Sequence, residues 1–319
     1  MFTLNDKNIL VTGGAGFIGS HLCDSLLKEP LKKLIAADNL YLGKEENLTE
    51  AKKDNRFSFK KVDISYFDKI NKLIISEAID VIFHLAVIPL EASIENPIWC
   101  FDQNVDMTKN ILETIRIDKP DTCLIAYSSS EVYGTALQIP MNENHPLYSR
   151  TPYAASKAAS DLLVYSYIKT FGIDAAIVRP FNNYGPRQNE GNYAGVIPIT
   201  IRRILNNEKP VIFDDGQQSR DFIYVKETAD WTIKIYKNDN TRGEIINLAS
   251  GKQISVNSVI TTICKELNYV GDIEYRPKRQ GDVRIHEGCM KRAKKLVDFT
   301  SKTDFDQAIK QTIQWYLDN

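Results

Sequence analysis

Residues 1–180 alternate short apolar runs with longer amphipathic stretches, and this rhythm limits the fold more than any other feature of the sequence. The apolar runs, each of strand length, are 8–12, 34–38, 57–63, 81–86, 123–129 and 175–181. The stretches with helical spacing are 17–29, 66–77, 97–118 and 152–171. Such alternation is typical of βαβ units, whose parallel strands are buried on both faces of the sheet. The sequence therefore predicts an α/β fold with a doubly wound parallel sheet of the Rossmann type.

The pattern changes after about residue 181, where loops such as 182–195 and 213–222 separate shorter segments. A chain of 319 residues is longer than one small core needs, so we expect a second, smaller mixed α/β domain. The apolar segment 245–250 is predicted to return to the first sheet, which would interleave the two domains. We assign residues 1–180 and about 222–250 to the first domain, and residues 181–221 and 251–319 to the second.

A glycine-rich turn, TGGAGFIG, follows the first strand and opens the first helix. Its glycines can be read as Gly13, Gly16 and Gly19, or as a G-x-G-x-x-G motif that starts at Gly14. Residues without side chains let the backbone approach a pyrophosphate, whose charge is then held by amides at the helix N-terminus. Tight strand-to-helix turns that bind no ligand also use glycine, so the turn alone is weak support for a dinucleotide site.

Asp38 strengthens the prediction of a dinucleotide site because it ends the second strand, 19 residues after Gly19. A carboxylate at this place accepts hydrogen bonds from ribose hydroxyls and repels a 2′-phosphate. We therefore predict NAD rather than NADP, although Lys44 lies near enough to favour the phosphate. Asp63 ends the third strand, where it would either contact the adenine amino group or cap a turn.

Tyr153 and Lys157, in the stretch YAASK, stand four residues apart and share one face of a predicted helix. An ammonium group near a phenol favours the phenolate, so we expect Lys157 to lower the pKa of Tyr153 and make it a base near neutral pH. Ser128, Ser129 and Glu131 follow the fifth strand, at the sheet edge where open α/β folds bind ligands. Such a polar run is also common where a strand simply leaves the sheet.

With these motifs the chain resembles the extended short-chain dehydrogenase/reductase family, in particular its nucleotide-sugar epimerases and dehydratases. The resemblance covers nearly the whole length and rests on several motifs in the same order. They are TGGAGFIG, HLA at 84–86, SSSEVYG at 128–134, YAASK at 153–157, RPFNNYGPRQ at 179–188 and SRDFIYV at 219–225.

The resemblance implies that Tyr153 removes the proton of a sugar C4 hydroxyl while hydride passes to NAD, with Lys157 on the nicotinamide ribose and Ser129 on the same hydroxyl. The implied cofactor-binding residues are Gly13, Gly16, Phe17, Ile18, Gly19, Asp38, Asp63, Ile64, Leu85, Ala86, Tyr153 and Lys157. The implied substrate-binding residues are Asn182, Arg187, Val196, Arg220 and Arg284, the last in the segment GDVR. The implied substrate is a nucleotide-diphosphate sugar, whose phosphates suit the planar fork of arginine.

Glu131 is the residue that best separates the possible reactions. In the 4,6-dehydratases that the chain resembles, among them those of legionaminic acid pathways, a glutamate here removes the C5 proton of the 4-keto sugar. Many 4,6-dehydratases also have an aspartate just before it as the acid for the departing hydroxyl, but here that position is Ser130. We predict a 4,6-dehydratase. The alternatives are a 4-epimerase for UDP-glucose or UDP-N-acetylglucosamine, a UDP-glucuronate decarboxylase, a C4 dehydrogenase, and a non-catalytic NAD-binding sensor.

Charge and cysteine usage exclude several other classes of protein. The formal net charge is -1 and the pI is near 6.5, which argues against a nucleic-acid or membrane-surface protein. The five cysteines are widely spaced and the four histidines have no partners at ligand spacing, so we predict reduced thiols, no metal and a cytoplasmic location. Because relatives commonly dimerise through the equivalent helices, we predict a homodimer through 97–118 and 152–171.

Overall fold

A seven-stranded parallel sheet forms the centre of the computed structural model, which describes residues 2–190, 194–278 and 283–319. Its strands, in chain order, are β1 (Asn8–Thr12), β2 (Lys33–Asp38), β3 (Phe57–Lys61), β4 (Val81–His84), β5 (Cys123–Tyr127), β6 (Ala175–Pro180) and a late strand, Ile245–Leu248. The spatial order is 245–248, β6, β5, β4, β1, β2, β3. The direction of winding therefore reverses between β1 and β4, and ligands of such sheets bind at that point.

Alternate residues of each strand face opposite sides of the sheet, and both sides are buried. In β1, Ile9 and Val11 join one apolar core while Leu10 joins the other. All three side chains are inaccessible to solvent. This two-sided burial explains the nearly continuous apolar runs in the sequence, and the predicted doubly wound α/β fold is confirmed.

Helices cover both faces of the sheet, and the long ones begin and end close to the predicted bounds. The helices of the first half are α1 (Phe17–Leu26), α2 (Phe67–Ser76), α3 (Leu90–Glu95), α4 (Pro97–Asp118) and α5 (Pro152–Phe171). Thr151 caps α5 by accepting a hydrogen bond from the Ala154 amide at 3.1 Å, with proline at the first position of the helix. α3 was not predicted, because six residues are too few to show a helical period.

The second half of the chain builds a smaller unit beside the carboxyl edge of the sheet. The strands of this half are β7 (Asn182–Tyr184), β8 (Val211–Phe213), β9 (Ser219–Tyr224), β10, which is the late strand Ile245–Leu248, β11 (Gln253–Ser255) and β12 (Glu274–Arg276). The helices of this half are α6 (Val196–Leu205), α7 (Val225–Lys237), α8 (Val256–Glu266), α9 (Lys291–Val297) and α10 (Phe305–Asp318). α6, α8 and α10 enclose a separate apolar core.

Two elements of the second half belong to the large sheet rather than to the small unit. β10 pairs in parallel with β6, so residues 245–248 return to the first sheet as the sequence indicates. α7 packs on the same face as α1, and the Ser25 hydroxyl donates to Asp230 at 2.8 Å between the two helices. The exact domain boundaries stay a prediction.

Asp221, on β9, connects three segments of the second half through one buried carboxylate. It accepts hydrogen bonds from the Ser250 amide at 2.6 Å, the Ser250 hydroxyl at 2.7 Å, the Gly251 amide at 2.9 Å and the Gly288 amide at 3.1 Å. Burial raises the pKa of Asp221 to about 6, although these donors oppose the shift. The residue is therefore a structural junction between β9, the end of β10 and the segment before α9.

Membrane-spanning helices, metal-binding clusters and the state of the cysteines can be assessed in the residues that the structure describes. Within residues 2–190, 194–278 and 283–319, no helix has the length and apolar character needed to cross a bilayer. In the same ranges no group of three or more His, Cys, Asp or Glu side chains could hold a metal ion. All five cysteines are free thiols, and four of them are buried.

Candidate active site

A cavity of about 380 Å³ opens at the carboxyl edge of the sheet, between the large sheet and the smaller unit. Its walls bring together ten of the predicted cofactor-binding residues with three of the predicted catalytic ones, two of which are the remaining predicted cofactor-binding residues. The former are Gly13, Gly16, Phe17, Ile18, Gly19, Asp38, Asp63, Ile64, Leu85 and Ala86, and the latter are Ser129, Tyr153 and Lys157. The cavity lies at the reversal point between β1 and β4, where a dinucleotide is expected.

The glycine turn is packed so closely that two of its positions exclude any side chain. Gly13 has φ of +68°, and a Cβ there would lie 2.7 Å from the Ala86 amide nitrogen. A Cβ on Gly19 would lie 2.1 Å from the Gly13 carbonyl oxygen. α1 begins at Phe17 directly after this turn, so its free amides face the cavity. The turn therefore has the shape that a pyrophosphate requires.

Asp38 lies at the end of β2 with 8% of its surface exposed, and it lines the same cavity. The Ala15 amide donates to its Oδ2 at 3.1 Å and the Leu40 amide donates to its Oδ1 at 2.8 Å. Burial raises the pKa of this carboxyl, while the two amides lower it. Each oxygen keeps a further lone pair for a ribose hydroxyl. Lys44 also lines the cavity, so both groups that bear on NAD versus NADP are present.

Asp63 both lines the cavity and caps a turn, so the two interpretations of this residue are compatible. It accepts hydrogen bonds from the Ser65 amide at 3.0 Å and the Ser65 hydroxyl at 2.7 Å. Burial opposes ionisation, but the bonds from Ser65 and from Asn39 lower the pKa of Asp63 overall. The side chain is thus a fixed, ionised acceptor at the edge of the cavity.

Tyr153 and Lys157 lie on one face of α5, beside Ser129 at the end of β5. The Lys157 ammonium donates a hydrogen bond to the Tyr127 carbonyl oxygen at 2.5 Å. Desolvation raises the pKa of Tyr153, and hydrogen bonding with Ser129 lowers it to a smaller extent. The expected lowering of this pKa by Lys157 is therefore not found. The physical reason is that Lys157 is directed at a carbonyl group, and burial lowers its own pKa to about 8.

Ser130 and Glu131 belong to a 3-10 helix, Ser130–Tyr133, whose N-cap is Ser129. The Glu131 amide donates to the Ser129 hydroxyl oxygen at 3.2 Å, which holds the Glu131 backbone against Ser129. The Glu131 charge also contributes to the raised pKa of Tyr153, after desolvation. Ser130 is 3% exposed, and neither residue lines the cavity. Glu131 is partly exposed, and its charge acts on Tyr153 although its side chain is not among the residues that line the cavity.

His84 is a packed, neutral histidine, as its isolation in the sequence indicates. Its Nδ1 lies 2.8 Å from the Thr12 hydroxyl and its Nε2 lies 3.2 Å from the Thr108 hydroxyl. Burial lowers the pKa of His84 to about 3. The Thr108 hydroxyl donates to the Asn104 carbonyl oxygen at 3.2 Å, so it accepts from the ring; the ring proton therefore lies on Nε2, and Nδ1 accepts from Thr12.

Two residues at the site have no sequence pattern that would have revealed them. Asn104, on α4, accepts a hydrogen bond from the Ile88 amide at 2.7 Å and donates to the Ser156 hydroxyl at 2.9 Å, so it holds a cavity-lining segment against α5. Trp315, on α10, lines the cavity. The next residue, Tyr316, donates to the Gln188 carbonyl oxygen at 2.7 Å. Both positions depend on contacts between distant parts of the chain.

Comparison with known proteins identifies the family to which this site belongs. The family model for GDP-mannose 4,6 dehydratase matches residues 10–312. The chain belongs to this family. A putative UDP-glucose 4-epimerase of Methanocaldococcus jannaschii is 37% identical to it, over 98% of this chain and 99% of the relative.

Solved structures of nucleotide-sugar epimerases and dehydratases share the fold over almost their whole length. A UDP-N-acetylglucosamine 4-epimerase from Methanobrevibacter ruminantium is 35% identical with a TM-score of 0.91, over 98% of this chain and 99% of that one. DesIV, a dTDP-glucose 4,6-dehydratase from Streptomyces venezuelae, is 27% identical with a TM-score of 0.91, over 98% and 97% of the two chains, and was solved with NAD bound. The predictions of an enzyme and of NAD as the cofactor of such enzymes are confirmed at the level of the family.

The substrate-binding residues implied by the family resemblance are spread over several surfaces. Arg187 lines the cavity and pairs with Asp24 of α1 at 2.8 Å. Arg284 pairs with Asp215 at 2.7 Å, and Arg220 donates to the Val283 carbonyl oxygen at 2.6 Å.

Asn182 begins β7, next to the cavity-lining Asn183, and Val196 begins α6, where it packs against the small core. Neither side chain is among the described residues that line the cavity, nor are Arg220 and Arg284. Gly281 and Asp282 of the GDVR segment lie outside the described residues. The roles of Asn182, Arg187, Val196, Arg220 and Arg284 in substrate binding stay predictions.

Proposed function

We propose that the chain uses NAD to oxidise the C4 hydroxyl of a nucleotide-diphosphate sugar and then acts as a 4,6-dehydratase. The observation that carries the proposal is one cavity lined both by the glycine turn with Asp38 and by Ser129, Tyr153 and Lys157. NAD held along the glycine turn and Asp38 supplies the acceptor for the C4 hydrogen. A purely structural cavity would not need this combination of residues.

In the first step, the Tyr153 oxygen takes the proton from the C4 hydroxyl as the C4–H bond breaks, which leaves a ketone at C4. Ser129 hydrogen-bonds the same hydroxyl and keeps it within reach of Tyr153. Because desolvation raises the pKa of Tyr153, the positive charge of Lys157 is needed nearby when the phenolate forms. In this proposal Lys157 also binds the ribose that carries the nicotinamide ring.

In the second step, the C4 ketone makes the C5 hydrogen acidic, and Glu131 removes it while the C6 hydroxyl leaves as water. Glu131 is suited to this task because its backbone is bonded to Ser129 and its charge acts on Tyr153. Ser130 is a poor acid, so Glu131 also delivers its proton to the departing hydroxyl. The reduced cofactor would return the hydride to C6, C5 would take a proton that exchanges with solvent, and Tyr153 would release its proton to solvent, which leaves the C4 ketone in the product.

A second candidate is a 4-epimerase, which needs no carboxylate acid or base beyond Tyr153. Two observations favour it: Ser130 stands where many dehydratases have an aspartate, and the chain is 37% identical to a putative UDP-glucose 4-epimerase. In this reaction the 4-keto sugar turns in the site and receives the hydride on its other face.

One experiment separates these reactions. The purified protein is incubated with NAD and a panel of UDP-, GDP-, CDP- and dTDP-hexoses in deuterated water, and the products are identified by mass spectrometry and NMR. We expect loss of one water with deuterium at C5. Inversion at C4 without deuterium from the solvent would contradict the dehydratase and indicate the epimerase. Loss of carbon dioxide would indicate a decarboxylase, and accumulation of NADH would indicate a C4 dehydrogenase.

We also propose a homodimer through α4 and α5. α5 exposes Leu162, Tyr165 and Phe171, and α4 exposes Ile98 and Ile117, with exposed fractions between 43% and 72%. Exposed large apolar side chains on two adjacent helices are typical of a buried interface. We expect a dimer by light scattering at micromolar concentration, and Leu162→Glu to give a monomer. A monomeric unaltered chain would contradict this proposal.

A further inference from the structure

Asn47 is a buried asparagine, 9% exposed, that lines the same cavity as Asp38. It belongs to a short 3-10 helix, Glu45–Leu48, in the segment 39–48 that follows β2. Its side-chain amide donates a hydrogen bond to the Ala15 carbonyl oxygen at 2.9 Å. Because buried amides generally have such a partner, this bond by itself would also fit a residue that only stabilises the fold.

Ala15, in the glycine turn, has contacts both to Asp38 and to the segment 39–48. Its amide donates to the Asp38 Oδ2 at 3.1 Å. Its carbonyl oxygen accepts hydrogen bonds from the Lys44 amide at 3.0 Å and from the Asn47 side chain. Ala15 is inaccessible to solvent, so water does not compete for these contacts. One residue of the turn therefore couples the position of the segment to that of the Asp38 carboxylate.

The segment 39–48 also packs directly against this carboxylate. The Leu40 amide donates to the Asp38 Oδ1 at 2.8 Å, and a Cβ added to Gly43 would lie 2.7 Å from the Oδ2. The Gly43 backbone thus covers one side of the carboxylate closely. A displacement of the segment would change the direction in which Asp38 offers its free lone pairs to a ribose hydroxyl, and would open space for a 2′-phosphate.

We propose that Asn47 is a positioning residue for the cofactor. By holding the segment 39–48 on the glycine turn, it keeps the Asp38 carboxylate in the place that favours NAD over NADP. This inference deepens the proposed function and rests on its assignment of Asp38 to the NAD site. The competing view is that Asn47 only stabilises the fold. The two views differ in whether the effect of Asn47 on NAD affinity depends on Asp38.

Asn47→Leu removes the donor and keeps a side chain of similar size, and other contacts still hold the segment. The Ala15 carbonyl oxygen retains the Lys44 amide, so no buried acceptor is left without a partner. Towards the start of the segment, the Tyr41 ring lies edge-on to Trp99 of α4, with the ring centres 5.5 Å apart. We therefore expect the variant to fold with the segment less firmly held.

A double-mutant cycle on cofactor binding tests the proposal without any sugar substrate. Calorimetry measures the affinities for NAD and NADP of the unaltered chain, Asn47→Leu, Asp38→Ala and the double variant. Asn238→Leu is the matched control, because the Asn238 amide also donates to a backbone carbonyl oxygen, that of Leu296, and Asn238 is not among the described residues that line the cavity. Thermal unfolding without cofactor reports the effect of each change on the fold. If Asp38→Ala does not fold, Asp38→Asn, which keeps one oxygen acceptor, takes its place in the cycle.

We expect Asn47→Leu to weaken NAD binding about 3- to 10-fold and NADP binding less, which narrows the preference for NAD. With Asp38→Ala already present, the same substitution should change NAD affinity less than about twofold, because no carboxylate is left to position. An equal loss with and without Asp38 would overturn the proposal and indicate a direct contact between Asn47 and the cofactor. A lower melting temperature with unchanged NAD affinity, as expected for Asn238→Leu, would overturn it in favour of a role in the fold alone. A chain that shows the coupling but modifies no nucleotide sugar would refute the proposed function and not the positioning role.

Discussion

Gly19→Ala should damage cofactor binding through one backbone contact. The added Cβ would lie 2.1 Å from the Gly13 carbonyl oxygen and 3.0 Å from the Gly14 Cα, whereas carbon and oxygen atoms that are not bonded normally stay more than about 3 Å apart. Both neighbours are backbone, so no side chain can rotate away and the turn must move by about 1 Å. Overpacking of this kind costs about 1–3 kcal/mol. If this cost destabilises the NAD-bound state and not the free protein, the affinity for NAD drops about 5- to 150-fold.

Calorimetric titration of NAD, together with thermal unfolding with and without NAD, measures this effect. Gly195→Ala is the matched control, because its Cβ would meet only the flexible end of Gln188 at 3.2 Å and its φ is -74°. The control should keep the affinity for NAD, and it should keep the stabilisation by NAD. Unchanged NAD affinity and an unchanged melting temperature in Gly19→Ala would refute the reasoning, since the turn would then not be constrained as described.

Three further predictions concern the catalytic base, the cavity wall and the buried junction. Tyr153→Phe should lower turnover about 100-fold or more while NAD affinity, measured by calorimetry, stays within about threefold; loss of both together would point to misfolding instead. Trp315→Ala should weaken nucleotide binding about 3- to 10-fold, whereas Leu317→Ala, 53% exposed on the same helix, should not. The pKa of Asp221 is raised from 3.8 to about 6, so its contribution to the free energy of unfolding is present below about pH 4 and is lost as pH rises through 6, a change of about 3 kcal/mol. Asp221→Asn should be less stable in urea at pH 7, because the new amide NH2 group would face backbone N–H donors. The variant should also lack this pH dependence. If the free energy of unfolding of the variant fell with pH as steeply as that of the unaltered chain, the raised pKa of Asp221 would be contradicted.

The strands of the large sheet and the glycine turn could be predicted because their causes are local. A strand that is buried on both faces requires a continuous apolar run such as Val81–His84. The turn at Gly13 needs residues without side chains whatever surrounds it. Asp38 could be predicted from its distance to the turn along the chain. The same holds for the shared face of Tyr153 and Lys157, which depends only on helical geometry.

The remaining parts of the site depend on contacts that no spacing reveals. Trp315 reaches the cavity from the last helix, and Arg187 meets Asp24 across more than half of the chain. The predicted direction of the pKa shift of Tyr153 was wrong. The sequence shows neither the desolvation of Tyr153 nor the Tyr127 carbonyl group that accepts a hydrogen bond from Lys157. Burial and backbone acceptors are products of the whole fold, so they could be known only from the structure.

The place of β10 at the edge of the large sheet has a consequence for how the protein can be divided. Because residues 245–248 cover β6, a fragment ending near residue 180 would present β6 as an open edge with the buried side chains of Ile177 and Val178 beside it. An uncovered edge of this kind invites pairing with other chains. A gene split between the two halves should therefore yield soluble protein only when both pieces are synthesised together and complement each other.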